Sequence, residues 1–178
     1  MYARLAAEDL LTYGQIAHSV IIKRGLAAQG YEPFDSDTAV SIAVRRYAKG
    51  VKDDIMKYLH DKLRKGERFS VTLDEFTAKN IRRFSNFNIH FPREDPKCIG
   101  MMRIMGSFNA EAAAEQLEQK LRDYGLDINT DIVGNTTDGC SMMISMGEKL
   151  PTIHQLCHAH GIHLAVVAVV YKVRSRAY

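Results

Sequence analysis

Residues 68–77 read RFSVTLDEFT, and the fold turns on this stretch. Phe69, Val71 and Leu73 alternate with Ser70 and Thr72, the period of a strand buried on one face. A long helical pattern breaks at Gly66 just before it, and the strand runs directly into Asp74 and Glu75. A strand that ends in carboxylates presents charge at the rim of a sheet. N-terminal to the stretch the pattern is helical, and C-terminal to it the chain reads as the strands and helices of one α/β layer. Asp74 is therefore the residue whose partners have to be found.

The chain has 178 residues, 46% of them apolar and 25% charged, enough for one domain with a core or for such a domain behind a helical prefix. A net charge of +3 permits nucleic acid as a partner without demanding it. Cys98, Cys140 and Cys157 have no paired spacing, and Glu8 and Asp9 interrupt any leader-like start. A reducing compartment, nucleus or cytosol, is expected. The longest apolar run, 164–171, is too short to span a bilayer, so no membrane partner is expected.

Outward from the opening strand, residues 5–28 form weakly patterned helix with Gly14 and Gly25 as expected breaks. Residues 30–37 form a loop, after which Ser36 or Asp37 caps a helix running to about residue 65. Its apolar stripe is Val40, Val44, Tyr47, Val51, Ile55, Leu59 and Leu63, with Gly50 as a weak point. On the other side, residues 82–91 alternate so that Phe87, Ile89 and Phe91 face the core, and 98–104 form a third strand. The period then changes. Asn109 caps a helix over 110–124, stopped by Gly125 and Leu126 in a Schellman turn. A strand at 130–136, a helix at 141–150, a short strand at 154–157 and an apolar helix from 158 to 172 complete the order.

The expected fold class is α/β: a ribonuclease H-like mixed five-stranded sheet with flanking helices, preceded by an all-α segment. The expected organisation is a helical segment over 1–66 and a partial ribonuclease H-like domain over 67–178. In that topology the first strand is central and the fourth lies beside it, so Asp74 and Asp138 approach each other. Two carboxylates at neighbouring strand ends suit Mg²⁺ or Mn²⁺, which prefer oxygen ligands, and a two-metal phosphodiester site needs at least a third acid. The blander reading makes both residues ordinary turn aspartates, and spacing alone leans that way.

Five segments in order, VTLDEFT (71–77), NFNIHF (86–91), GSFNAE (106–111), TTDGCSMM (136–143) and CHAHGIHLAV (157–166), resemble the hAT superfamily of cut-and-paste DNA transposases. The resemblance covers about 69–171 well and 9–65 more loosely. It implies that Asp74 and Asp138 correspond to the first two catalytic, metal-binding aspartates. It also implies that Cys157 and His160 correspond to a Cys-x-x-His element, with His160 near the DNA strand. Implied with these are Mg²⁺ or Mn²⁺ as cofactor, DNA as partner, a nuclear location and room for a homo-oligomer. The sequence departs from the family at Ile162, His163 and Leu164, where Leu-Asn-Leu is usual, and at Asn109, where Thr is usual. The family's third acid, a Glu, lies beyond a helical insertion that would follow residue 178. The expectation is a truncated, catalytically incomplete transposase-like chain. The alternative is a domesticated DNA- or protein-binding factor without chemistry.

Other chemistry reads as weaker. His154, Cys157, His158, His160 and His163 resemble zinc ligands, but all lie within ten residues and cannot converge from one strand–helix junction. Cys157 and His160 lack an orienting acid for nucleophilic work. Glu75 points opposite to Asp74 and is expected to be solvated. A haloacid dehalogenase-type reading of DEFT fails for want of its second Asp. Met101, Met102, Met105, Met142, Met143 and Met146 are expected as core filler. Lys62, Arg64, Lys65, Arg68, Arg82 and Arg83 are expected as solvated charges sooner than phosphate ligands. Val166, Val167, Val169 and Val170 are expected to be partly exposed unless they pack on the sheet.

Overall fold

A computed structural model describes residues 1–7, 9–78 and 81–175. The chain forms two compact units, Met1–Lys57 and Tyr58 onward.

The first unit is helical: α1 (Tyr2–Ala7), α2 (Tyr13–His18), α3 (Val20–Ala28) and most of α4 (Asp37–Arg64). Its breaks do not fall at the glycines. Gly14 and Gly25 lie inside α2 and α3, while α2 ends at Ser19, whose hydroxyl also accepts from Ile22 N and caps α3. Thr12 and Gln15 close a reciprocal capping box at the start of α2, with Gln15 N on Thr12 Oγ1 at 3.2 Å and Thr12 N on Gln15 Oε1 at 2.9 Å. Ile16, Ala17, Leu26 and Val40 form the core, with Leu5, Ala6, Leu11, Ile22, Phe34 and Val44 packed against it. The Ser36 hydroxyl accepts from Ala39 N and starts α4. That helix then runs unbroken for 28 residues, through Gly50.

The last turns of α4 group with the second unit. Leu59 is fully buried, and Tyr58 meets Phe91 edge-on at 5.9 Å between ring centroids. Here the sheet comprises β1 (Phe69–Thr77), β2 (Arg83–His90), β3 (Lys97–Ile104), β4 (Ile132–Thr137) and β5 (Ile153–Leu156), in the order β3-β2-β1-β4-β5. The pairs β3–β2 and β2–β1 are antiparallel; β1–β4 and β4–β5 are parallel. The stretch 68–77 thus forms a strand, as its alternation predicts, and that strand is the central one of a mixed sheet.

Phe69, Val71 and Leu73 on β1 and Ser85, Phe87 and Ile89 on β2 are all at most 3% exposed on one face. Each large apolar side chain buried there contributes about 1.5–3 kcal/mol. The helices α5 (Ala110–Arg122) and α6 (Ser141–Lys149) add Ala113, Leu117, Leu121, Met143 and Met146 to the buried set. Ser85 Oγ donates to Gln116 Oε1 at 3.1 Å, and Gln116 Nε2 donates to the Arg103 carbonyl at 3.3 Å, fixing α5 to β2 and β3. Asn109 caps α5, and Leu126 N on Leu121 O with Gly125 N on Arg122 O forms the expected Schellman turn.

Some expectations are corrected. Met143 and Met146 are core, but Met101 and Met105 are 56% and 68% exposed, because alternation on β3 turns Met101 away from α5 and Met105 lies past the strand end. Glu75 is not simply solvated: Arg83 Nε donates to its Oε1 at 2.7 Å. The final helix, α7 (His158–Ser175), keeps Val166, Val169 and Val170 exposed. No described helix is long and apolar enough to cross a membrane.

Candidate functional site at the ends of β1 and β4

The site is set by the parallel pairing of the central strand. Thr72 is level with Thr136, the last paired residues of β1 and β4. Asp74 lies two residues further along β1, and Asp138 is the first residue beyond the end of β4. Asp74 is exposed and paired with Asn86 of β2.

Asp138 opens the turn into α6. Its Oδ1 accepts from Cys140 N at 3.1 Å, an Asx-type contact that aims the carboxylate at the start of the helix. Partial burial, then the hydrogen bond and charge of Asp138, push the Cys140 thiol up and away from thiolate.

His160 lies beside this turn: a methyl group at Gly139 would stand 3.6 Å from His160 Cδ2. The short strand β5 accounts for that placement, since Cys157 N donates to Thr137 O at 2.8 Å and starts α7 level with the end of β4. His160 thus reaches the turn that carries Asp138 through Gly139, the residue between that aspartate and Cys140.

His154 is a contributor that the sequence pattern does not reveal. Its Nε2 is 2.9 Å from Thr137 Oγ1, and Thr137 Oγ1 donates to the Asp138 carbonyl at 3.1 Å. A hydroxyl has one proton, so donation to Asp138 leaves it accepting from the His154 Nε2–H. Gly147 of α6 makes room for that ring, as a Cβ there would fall 2.3 Å from His154 Cδ2. Asn135 Nδ2 donates to Thr152 Oγ1 at 2.7 Å deeper along β4, while its buried Oδ1 has no partner among the described residues. A polar seam under the strand end thus holds Asp138 in place.

The histidines diverge. His154 turns to Thr137, His158 to Gln155 and His160 to Gly139. Among the described residues, no three His, Cys, Asp or Glu side chains group as metal ligands. The donor set at the strand ends is two carboxylates, right in kind for a hard cation and short in number. Of the basic residues, Lys62 pairs with Glu67 and Glu94, Arg64 with Asp61 and Arg83 with Glu75.

The fold defines a class: a mixed α/β unit with a five-stranded mixed sheet, with Asp74 near the end of β1 and Asp138 just past the end of the parallel β4. Compared with known proteins, the chain matches no family model and no curated protein.

Proposed function

We propose that this chain is a hAT transposase-like protein with a ribonuclease H-like catalytic unit. Asp74 and Asp138 would bind Mg²⁺ or Mn²⁺ against DNA, and the pair alone is insufficient for strand cleavage. The observation that supports this reading is the parallel pairing of β1 with β4 in a sheet ordered β3-β2-β1-β4-β5, with Asp74 near the end of the one strand and Asp138 just past the end of the other. The resemblance of the ordered motifs, from VTLDEFT to CHAHGIHLAV, supports the family reading and, with it, DNA and a nuclear setting. When bound, a divalent cation neutralises phosphate charge and lowers the pKa of a coordinated water. The chain's own contribution is to orient Asp138 through Cys140 N and Thr137, and to hold His160 next to Gly139.

A second reading, a DNA- or protein-binding factor without chemistry, draws on the fact that Asp138 already satisfies a backbone N–H and that the carboxylates number two. Labelled duplex DNA incubated with the full chain and Mn²⁺ separates them. The proposal predicts Mn²⁺-enhanced, salt-sensitive binding that falls in Asp74→Asn and Asp138→Asn, without nicking. Asp138-dependent cleavage would make the chain a competent nuclease. Binding that survives loss of both aspartates would favour the second reading as a DNA-binding factor, and no binding would contradict the proposal and leave only a protein-binding factor.

A further inference from the structure

The sheet has two unlike faces. On β1 and β2 the odd-numbered residues from Phe69 to Leu73 and from Ser85 to Ile89 are buried, whereas no even-numbered one from Ser70 to Phe76 or from Phe84 to His90 is. Strand register arranges this second face in rows. Phe76 pairs with Phe84 and Phe84 with Arg103; Asp74 pairs with Asn86 and Asn86 with Met101; Thr72 pairs with Asn88 and Asn88 with Cys98; Ser70 pairs with His90. The first row is two aromatic rings and a guanidinium, immediately beside the row that carries Asp74.

We infer that this face is a stacking platform for the unpaired nucleotides of a DNA strand, with Phe76 and Phe84 as its base-stacking pair. The choice of ligand rests on the nucleic-acid reading above. Phe76 and Phe84 stand 5.6 Å apart between ring centroids and 21° from parallel, and Phe76 is 39% exposed. A cross-strand aromatic pair made for the core would lie on the α5 side; this pair lies on the other face, with Phe76 exposed and Phe84 half-buried. Every nucleobase has a π-face, so such a pair accepts any unstacked base.

Charge and spacing favour a single strand over a duplex. Arg103, next to Phe84, is exposed, and none of its described side-chain contacts is an ion pair, which suits it to phosphate or to a base plane. Arg68 lies at the far end of the same face, where with Ser70, His90 and Val133 it lines a cavity of about 290 Å³. Successive rows on one face of a strand are about 6.8 Å apart, twice the roughly 3.4 Å step of stacked bases in a duplex strand. Bases held one per row must be unstacked, and in a duplex they are not. The amides of Asn86 and Asn88 in the next rows can reach base edges that pairing would otherwise occupy.

The test is fluorescence anisotropy with a short mixed-sequence DNA oligonucleotide, unpaired or annealed to its complement, in EDTA and in Mn²⁺. The full chain should bind the unpaired strand more tightly than the duplex in EDTA. Phe76→Ala or Phe84→Ala should weaken that binding about 5- to 150-fold, the range for loss of one stacked base. Phe76→Trp, which keeps a π-face, should retain it, and upfield shifts of base protons on binding should vanish in the Ala variants. Equal affinity for duplex and single strand, equal loss in the Trp and Ala variants, or no loss in the Phe76→Ala/Phe84→Ala double variant would overturn the inference. The two readings fail separately. Phe-dependent binding in EDTA stands even if no Mn²⁺ effect is found, and aspartate-dependent Mn²⁺ binding without a Phe effect sinks only the platform.

Discussion

His90 is the residue whose ionisation the fold disturbs with consequence. Its imidazole sits on the open sheet face with the Thr72 hydroxyl on Nε2, and burial pushes its pKa below the ordinary histidine value. The unfolded chain takes up that proton near pH 6.5, while the native chain resists it to lower pH, so the native state carries fewer protons in between. Stability from this group is complete above about pH 6.5 and is lost as pH falls towards the native pKa. His90→Gln should therefore flatten the fall in urea-unfolding free energy between about pH 7 and pH 5. Parallel pH profiles for the two chains would contradict it. At this scale the sequence is partly legible. Period-2 alternation sets Asp74 apart from Glu75, because parity along a strand is fixed by covalent geometry. The same parity puts Phe76 and Phe84 on the Asp74 face. The His154–Thr137–Asp138 seam is not legible, since it joins strands whose register only tertiary packing decides.

Among the elements, α5 is the most readable because its cap, stripe and stop all agree: Asn109, then Ala113, Leu117 and Leu121, then Gly125. Gly125 has φ of 68°, and a Cβ there would come within 3.0 Å of His60 Nε2 on α4. Gly125→Ala should destabilise the second unit by about 1–2 kcal/mol through the left-handed backbone alone. Chemical unfolding followed by the circular dichroism of that unit's transition measures it, and an unchanged midpoint would show that the turn relaxes freely. The helices α2 and α3 are less readable. Ser19 ends one and caps the other, and a single Ser leaves a fainter mark than a Gly. Gly14 falls in the first turn of α2 and Gly25 inside α3, where packing of Ile16 and Leu26 outweighs a propensity cost of about 1 kcal/mol for an interior glycine. Residues 158–172 are legible as a helix but not as to which side is covered, since apolar residues surround it.

Across the molecule, the sheet order is recoverable because three short-looped strands followed by helix-separated strands admit few connections. Its chemistry is less so, because a site is a coincidence of strand ends that no single segment records. The order β3-β2-β1-β4-β5 gives β1 an antiparallel neighbour on one side and a parallel one on the other. The first gives Asp74 its exposed face with Phe76 and Asn86; the second is the strand that leads into Asp138. Whether Asp74 and Asp138 act as one divalent-cation site is decided by titrating Mn²⁺ under electron paramagnetic resonance, with the full chain and its Asp74→Asn, Asp138→Asn and double variants. Weak binding to one class of site is expected, lost in either single variant and no further reduced in the double. Mn²⁺ binding unchanged in the double variant, or losses that simply add, would contradict it.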